Sequence, residues 1–540
     1  MSRRSVLVWV GAAIIILGVV IFCWQLNQLP LTAYDEAVYG QVTRDTLKSG
    51  NIFSLQRLGQ PWLEKPPLYF WLAMGSVTLF GPQEWALRLP SVLGAIFICL
   101  MVYLLIRKLG LGSWWSVLTI GVLTAIPYWY ILMRQVRVDS LLILMLISAL
   151  YFLVASWQRK QFAIWIGPLL GLAVMTKSVT TISVLPMLFV FSFVYRQWDW
   201  LRNRWLYYGL ALGLTIIVPW HLYQTKLYGQ DFWSIYLGFN ILQRASEGFG
   251  LQQIHWYDYF LTLWKLAQPW YFLWIVGTVA VVILRRHITS DQTIQKLWLA
   301  SLGSALVVII LFSLFKTHIP TYVLPAYPFI AISLVCSMHL LYHLVLQWRP
   351  QWQKVYVFSG LLGLGFACLF GYRVGLSIMP MLHFYFDSEL KEIGQTVALQ
   401  YQAGDRLYQL AWPVGDTLSY YAHQPIATIK LPTSGTFEEM EGPFFLFMQT
   451  DFMPIFFDEQ GQVLAEYATG VHDAPQTVAR LGHVVVPILT HENEGLGLSQ
   501  WGEGQNSNQD EQESFQFILL FGFLQALGLF VGNVHTSRFG

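Results

Sequence analysis

Long apolar runs, broken by short charged or proline-rich stretches, fill the first 380 residues of the chain. A helix that crosses the ~30 Å hydrocarbon core of a bilayer needs about 20 mostly apolar residues. By that measure the pattern predicts spans at approximately 5–24, 85–106, 113–129, 138–157, 162–176, 179–195, 205–222, 261–284, 297–315, 324–345 and 355–375. The fifth and sixth are short and meet at a corner at Lys177, so the expected number is about eleven, in a range of nine to thirteen. Leu68–Phe80 is apolar over only 13 residues and reads as a re-entrant or interfacial segment. The first span is close to 20 residues long, and 25–30 offers no small-residue cleavage site, so it reads as an anchored helix rather than a signal peptide.

The pattern changes near residue 380. Residues 380–514 carry 19 Asp and Glu against four Lys and Arg, with strand-like runs at 406–412, 426–431 and 444–448 after a helical stretch at 388–402. The expected organisation is a membrane domain over 1–379, a small α/β domain over 380–501, an acidic linker over 502–514 and a C-terminal segment over 515–540. Within that last segment, 515–531 fits either one more span or an interfacial helix. No internal repeat is evident, including the paired interrupted helices of many secondary transporters.

Composition agrees with the pattern. Hydrophobic residues make up 55% of the 540, charged residues 11%, and mean hydropathy is +0.50. Soluble domains carry about 25% charged residues, which excludes a soluble reading. A net charge of +2 leaves no footprint for nucleic acid. Cys23, Cys99, Cys336 and Cys368 all lie in apolar runs and read as small membrane hydrophobes.

Charge sets the orientation. With the N-terminus inside, the inner loops hold 14 basic residues, from Arg3 and Arg4 to Arg349 and Lys354, against two acids, Asp199 and Asp291. That obeys the positive-inside rule. Nine of the eleven acids before residue 380 then fall outside, together with Lys65, Arg137, Lys177, Arg244 and Lys316. Mixed charge at span ends on one face points to a polar site there, although a solvated loop explains many of these residues singly. Asp35-Glu36 follows the first span; an interfacial acid or helix cap would suffice for it. Glu64-Lys65 is held on a rigid corner by Pro66 and Pro67, which forbid a regular helix before them. Arg134, Arg137 and Asp139 stand at the mouth of the fourth span, where the helix macrodipole alone would favour the acid. Lys316 and His318 precede a second proline corner running from Ile319-Pro320-Thr321-Tyr322 to Pro328. His255 is a lone histidine in an aromatic loop.

Together, Asp35-Glu36-x-x-Tyr39, Glu64-Lys65-Pro66-Pro67-Leu68, Arg137-x-Asp139 and the Pro-Thr-Tyr-x-Leu-Pro element after Lys316 resemble the C-class membrane glycosyltransferases. The likeness runs from about residue 5 to 345, strongest in 30–90, and points to the branch of the protein O-mannosyltransferases and the bacterial lipid A aminoarabinose transferases. The chain departs from the aminoarabinose enzymes at Asn240-Ile241-Leu242-Gln243-Arg244, where they tend to carry Glu-His-x-Gln-Arg, and at His318-Ile319, where they tend to have a Leu preceded by other residues.

The resemblance implies transfer of a monosaccharide from a polyprenyl-phosphate donor to a lipid, glycan or protein acceptor, with inversion, on the extracytoplasmic face of a bacterial inner membrane. No nucleotide cofactor is expected. A hydroxyl acceptor needs a base, and the departing phosphate needs cations but no acid. Asp35 is the expected base, with Asp139 and Glu36 as further catalytic carboxylates. Lys65, Arg137, Lys177, Lys316 and Arg244 are candidates for the donor phosphate. By family likeness, Glu64 and His255 are candidate ligands of a divalent metal. Two other readings are a flippase for a lipid-linked glycan and an oligosaccharide transferase or ligase. A third, a receptor or scaffold built around the C-terminal domain, would make the first-loop motifs dispensable.

Overall fold

The computed structural model describes residues 35–243, 255–288 and 291–348 almost continuously, with shorter pieces within 9–32 and 391–489. Five described helices are long and apolar enough to cross a bilayer: Glu84–Lys108 (α3), Asp139–Ser156 (α6), Arg204–Phe239, Gln292–Ser313 (α12) and Pro320–Gln347. A sixth is reached if Asp258–Leu266 (α10) and Trp270–Leu284 (α11), bent by 117° at their junction, form one span.

The difference from eleven has local causes. The expected span at 113–129 splits into Ser113–Thr124 (α4) and Pro127–Leu132 (α5), because Pro127 has no N–H to give and disfavours helix at the residue before it. The expected span at 162–176 opens as a 3₁₀ turn, Lys160–Trp165, and becomes α-helical only over Ile166–Lys177 (α7). Its successor likewise begins with a 3₁₀ turn, leaving Val184–Tyr195 (α8). Leu68–Phe80 (α2) is a 13-residue helix that starts directly after the proline corner, Trp71 donating to the Pro67 carbonyl at 2.9 Å. The expected spans at 355–375 and 515–531 and the linker at 502–514 lie outside the described residues, and 5–24 lies only partly within them.

Ahead of the spans, Asp35–Ser49 (α1) packs beside a short hairpin, Gln56–Arg57 (β1) with Gln60–Pro61 (β2), and against α2. Tyr39 of α1 and Trp62 meet Phe70 of α2 edge-on, with ring centroids 5.5 and 5.2 Å away. This buried aromatic knot fixes α1 over the membrane helices.

Helix α7 and the long helix Arg204–Trp233 (α9) cross with almost no side chain between them. A Cβ on Gly209 would lie 2.3 Å from the Ile164 carbonyl oxygen, and one on Gly167 would lie 2.0 Å from Gly209. Small residues spaced by four let helix backbones approach this closely in a membrane. At the far end of α3 from Glu84, Lys108 donates to Gln158 at 2.9 Å, next in sequence to Arg107 and close to Arg159.

Tyr327–Trp348 (α13) closes the described bundle. The C-terminal region adds Arg406–Leu410 (β3), Gly415–Ala422 (α14), Ala427–Ile429 (β4), Phe444–Gln449 (β5), Val478–Leu481 (β6) and Val484–Leu489 (β7). They form one sheet in the order β4-β3-β5-β7-β6, parallel except for the β6–β7 hairpin. Helix α14 supplies the crossover that parallel β3 and β4 require. The first three strands fall in the expected runs; β6, β7 and α14 were not anticipated.

Candidate active site

Consecutive residues of a helix point about 100° apart, and the first two of α1 show the consequence. The Asp35 side chain is 46% exposed and that of Glu36 is wholly buried. Glu36 Oε1 accepts from Arg88 Nε at 2.8 Å and from the Val136 N–H at 2.9 Å. Its Oε2 accepts from the Thr32 N–H at 2.8 Å, the Thr32 hydroxyl at 3.0 Å and Arg88 Nη2 at 3.2 Å. Arg88 also donates to the carbonyls of Leu26 and Pro30. Glu36, expected among the catalytic carboxylates, is a buried tie between α1, α3 and the stretch before α6, with both oxygens already holding hydrogen bonds.

Asp35 instead heads a chain of alternating charges. Arg137 Nη2 lies 2.7 Å from Asp35 Oδ2, and its Nε lies 3.1 Å from Asp139 Oδ2. Lys177 Nζ lies 2.5 Å from the other oxygen, Asp139 Oδ1. Two acids and two bases cancel, and all but Asp35 are nearly buried. The two carboxylates beside Arg137 hold its charge on, raising its pKa against the effect of burial.

Local structure aims each group. Asp139 is the first residue of α6, where the macrodipole favours an anion. Arg137 sits in the non-helical stretch before it, its N–H donating to Ser91 Oγ at 3.1 Å and its carbonyl accepting from that hydroxyl at 3.0 Å. Lys177 ends α7, and Ser178 after it takes φ +55°, ψ −131°. A non-glycine residue there stores backbone strain, a feature that clusters at functional sites. The Tyr322 ring, on the 3₁₀ turn Pro320–Ala326, lies 5.6 Å from Lys177 Nζ and brings the second proline corner to the site. Tyr39, one turn along α1 from Asp35, is within electrostatic reach of Asp35, Arg137, Asp139 and Glu64, and burial together with those acids pushes its hydroxyl pKa well up.

The remaining expected residues divide. Glu64 and Lys65 are partly buried on the corner before α2. Lys316 is exposed just past α12. Arg244 lies outside the described residues. His255 is not joined to Glu64: its Nδ1 lies 3.8 Å from Asp258, which also holds His318 Nδ1 at 3.2 Å. Among the described residues no group of three or more His, Cys, Asp or Glu side chains could hold a metal. Among the described residues, the Glu64–His255 pair does not come together as a metal site.

Sequence reading missed Arg88, Ser91, Tyr69 and Tyr128. Arg88 and Ser91 carried a signal: with Glu84 they put a polar side chain every three or four residues on one stripe of an apolar span, and an intramembrane charge is a functional pointer by default. Tyr69 donates to the Leu87 carbonyl at 3.1 Å and meets Ser91 at 3.0 Å, joining α2 to that stripe. Tyr128 of α5 is within electrostatic reach of Arg137, Asp139 and Asp35.

Beside Ser178 opens a largely apolar cavity of about 640 Å³, lined by Leu170, Val174, Val184, Ile217, His221 and Tyr236 among others. His221 meets the Ile217 carbonyl through Nδ1 at 2.8 Å and the Tyr236 hydroxyl through Nε2 at 3.0 Å, so its polar atoms are satisfied within the wall.

The described residues form a polytopic helical bundle with paired charges near an apolar cavity, as the resemblance to the C-class membrane glycosyltransferases led us to expect. The comparisons agree. Residues 64–223 match the family described as dolichyl-phosphate-mannose-protein mannosyltransferase. The chain is similar to the undecaprenyl phosphate-alpha-4-amino-4-deoxy-L-arabinose arabinosyl transferase of Enterobacter sp., 27% identical over 313 residues, which cover 56% of this chain and 54% of that one. The enzyme of the same name from Pectobacterium atrosepticum is 24% identical over 398 residues, 72% of this chain and 68% of that one. The crystal structure of ArnT from Cupriavidus metallidurans bound to undecaprenyl phosphate shares the fold with TM-score 0.62 and 18% identity, over 87% of this chain and 96% of that one. The likeness to C-class glycosyltransferases of the aminoarabinose transferase type is thus borne out, while the chain spans about half the length of the first of these relatives.

Proposed function

We propose that the protein is a membrane glycosyltransferase that moves a monosaccharide from a polyprenyl-phosphate donor to a hydroxyl of a lipid, glycan or protein acceptor, on the extracytoplasmic face and with inversion. The observation that carries this reading is the Asp35–Arg137–Asp139–Lys177 chain, which runs from a half-exposed carboxylate at Asp35 to Lys177, whose neighbour Ser178 lines an apolar cavity. Asp35 takes the acceptor proton as the acceptor oxygen attacks the anomeric carbon. The bond from that carbon to the phosphate oxygen breaks in the same step, and its electron pair leaves with the phosphate. Base catalysis of this kind contributes ~10²–10⁴-fold.

Arg137 fixes the direction of the Asp35 carboxylate, and Asp139 fixes Arg137. Lys177, held by Asp139 and followed by Ser178 of the cavity wall, supplies with Lys65, Lys316 and Arg244 the cations for the phosphate charge that develops. The cavity takes the first isoprene units of the donor tail. Glu36 acts through position alone. The sugar named in the relatives makes undecaprenyl phosphate-linked 4-amino-4-deoxy-arabinose the first donor to try.

The test is to incubate the purified protein with radiolabelled polyprenyl-phosphate monosaccharides, one sugar at a time, with membrane extract as acceptor. Label leaving the polyprenyl lipid for another molecule establishes the reaction and the sugar. Movement of intact donor between leaflets of a liposome, with no transfer, would establish a flippase instead.

A further inference from the structure

Helix α14 of the C-terminal region lies against the chain that leads into α1. The Tyr421 hydroxyl accepts from the Leu31 N–H at 2.9 Å and donates to Glu84 Oε1 at 3.1 Å. Lys391 Nζ holds the same Glu84 oxygen at 2.6 Å and stands 5.8 Å from the Tyr421 ring centroid. Thr417 Oγ1 reaches the Leu31 carbonyl at 3.5 Å. Both main-chain polar groups of Leu31 are thus held by α14.

The grip continues along α1. Arg44 donates to the Tyr420 carbonyl at 2.5 Å and lies 4.8 Å from that residue's ring centroid. A Cβ on Gly40 would come within 2.7 Å of Leu31 and 3.2 Å of the Tyr420 ring, so α1, Leu31 and α14 are in mutual contact. From the other side, Glu36 holds both polar groups of the Thr32 N–H and hydroxyl. The segment three residues ahead of Asp35 is therefore clamped between the membrane bundle and the C-terminal region.

We propose that Tyr421 is a positioning residue for the transfer reaction. By holding Leu31 it sets where α1 begins, and so where the Asp35 carboxylate stands relative to the anomeric carbon. The C-terminal region is then part of the catalytic unit, and whatever binds its sheet can alter turnover through α14. This rests on Asp35 being the base.

The test uses the full chain as wild type, Tyr421→Phe and Thr417→Val, assayed for transfer from undecaprenyl phosphate-linked 4-amino-4-deoxy-arabinose or whichever polyprenyl-phosphate sugar the wild type accepts. Tyr421→Phe keeps the ring and the Cβ that lies against Gly394, and removes only the hydroxyl. Misplacing a reacting group by about 1 Å can cost ~10²-fold. The expected result is a kcat lower by roughly tenfold or more per folded molecule, with the donor KM unchanged, and a smaller loss of the same kind for Thr417→Val. A lower melting temperature with wild-type kcat in the folded fraction would make the contact purely structural and overturn the proposal. If Tyr421→Phe fails to fold, unchanged kcat in Thr417→Val overturns it equally. A wild type that transfers nothing defeats the transferase reading itself, whereas an active wild type matched by both variants defeats only the role of Tyr421.

Discussion

Lys177, the last residue of α7, places its ammonium 2.5 Å from the carboxylate of Asp139, the first residue of α6. Two helix ends that meet with opposite charge are each favoured by their own macrodipole, the anion at an N-terminus and the cation at a C-terminus. The pair is nearly buried, so its value to the fold depends on its remaining intact. Removing one partner of a buried pair typically costs about 3–5 kcal/mol, because the other charge is left without compensation.

Asp139→Asn should accordingly lower thermal stability in detergent and abolish transfer. The double variant Asp139→Asn/Lys177→Met should recover part of the stability and none of the activity. Melting curves of the three proteins check this; an Asp139→Asn protein as stable as wild type would contradict it.

Asp35 behaves in the opposite way. Its side chain is half exposed and has one ionic partner among the described residues, so Asp35→Asn should leave the melting temperature within about 2–4 °C of wild type while turnover falls at least ~10²-fold. Transfer assays on protein normalised by folded fraction read the effect. Near-normal turnover would remove Asp35 as base.

Glu36 and Arg88 offer a contrast within the same helix turn. Glu36→Gln should destabilise by about 3–5 kcal/mol through the stranded guanidinium. Glu36→Gln/Arg88→Met should fold better than the single variant and regain measurable turnover, which no variant of a true base could do.

The crossing of α7 and α9 leaves no room for a methyl group. Gly209→Ala would set a carbon 2.3 Å from the Ile164 carbonyl, so the backbones must part. Forcing extra carbon into a packed contact costs about 1–3 kcal/mol. Because α7 carries Lys177, the donor KM should rise as well. Gly121→Ala, with nothing within 4 Å of the new methyl, is the control that should change neither.

His423 gives the docking of α14 a pH dependence. Burial, then the neighbouring Arg44 and Lys48, lower its pKa below the ordinary value, with Asp45 opposing in part, and its ring nitrogen meets the Arg44 guanidinium directly. The unfolded chain binds the proton more readily, so stability is complete above the unfolded pKa of about 6.5 and is lost as pH falls below it. Melting temperature measured from about pH 7.5 down to about 5 should fall less steeply in His423→Gln than in wild type. Parallel curves would show that the histidine does not couple to folding.

The sequence by itself determined what is local. Apolar runs marked the helices, and Asp35, Glu64-Lys65, Arg137-x-Asp139 and Lys177 stood out because each lies where an apolar run begins or ends. Pro127 was equally visible as a breaker, yet reading straight through it joined two helices into one, whereas the corner at Lys177 marked a true break. The tertiary structure alone decided which charges meet. The turn of α1 sends Asp35 outward and Glu36 inward to Arg88, a difference that two adjacent acids cannot announce. Packing joins Lys177 to Asp139 across 38 positions, gives His255 to Asp258 instead of Glu64, and brings Tyr421 to Leu31 across 390. Periodicity and end effects act over a few residues and leave their mark in the sequence, but pairing over such separations is fixed only when glycine contacts and aromatic knots bring distant helices together.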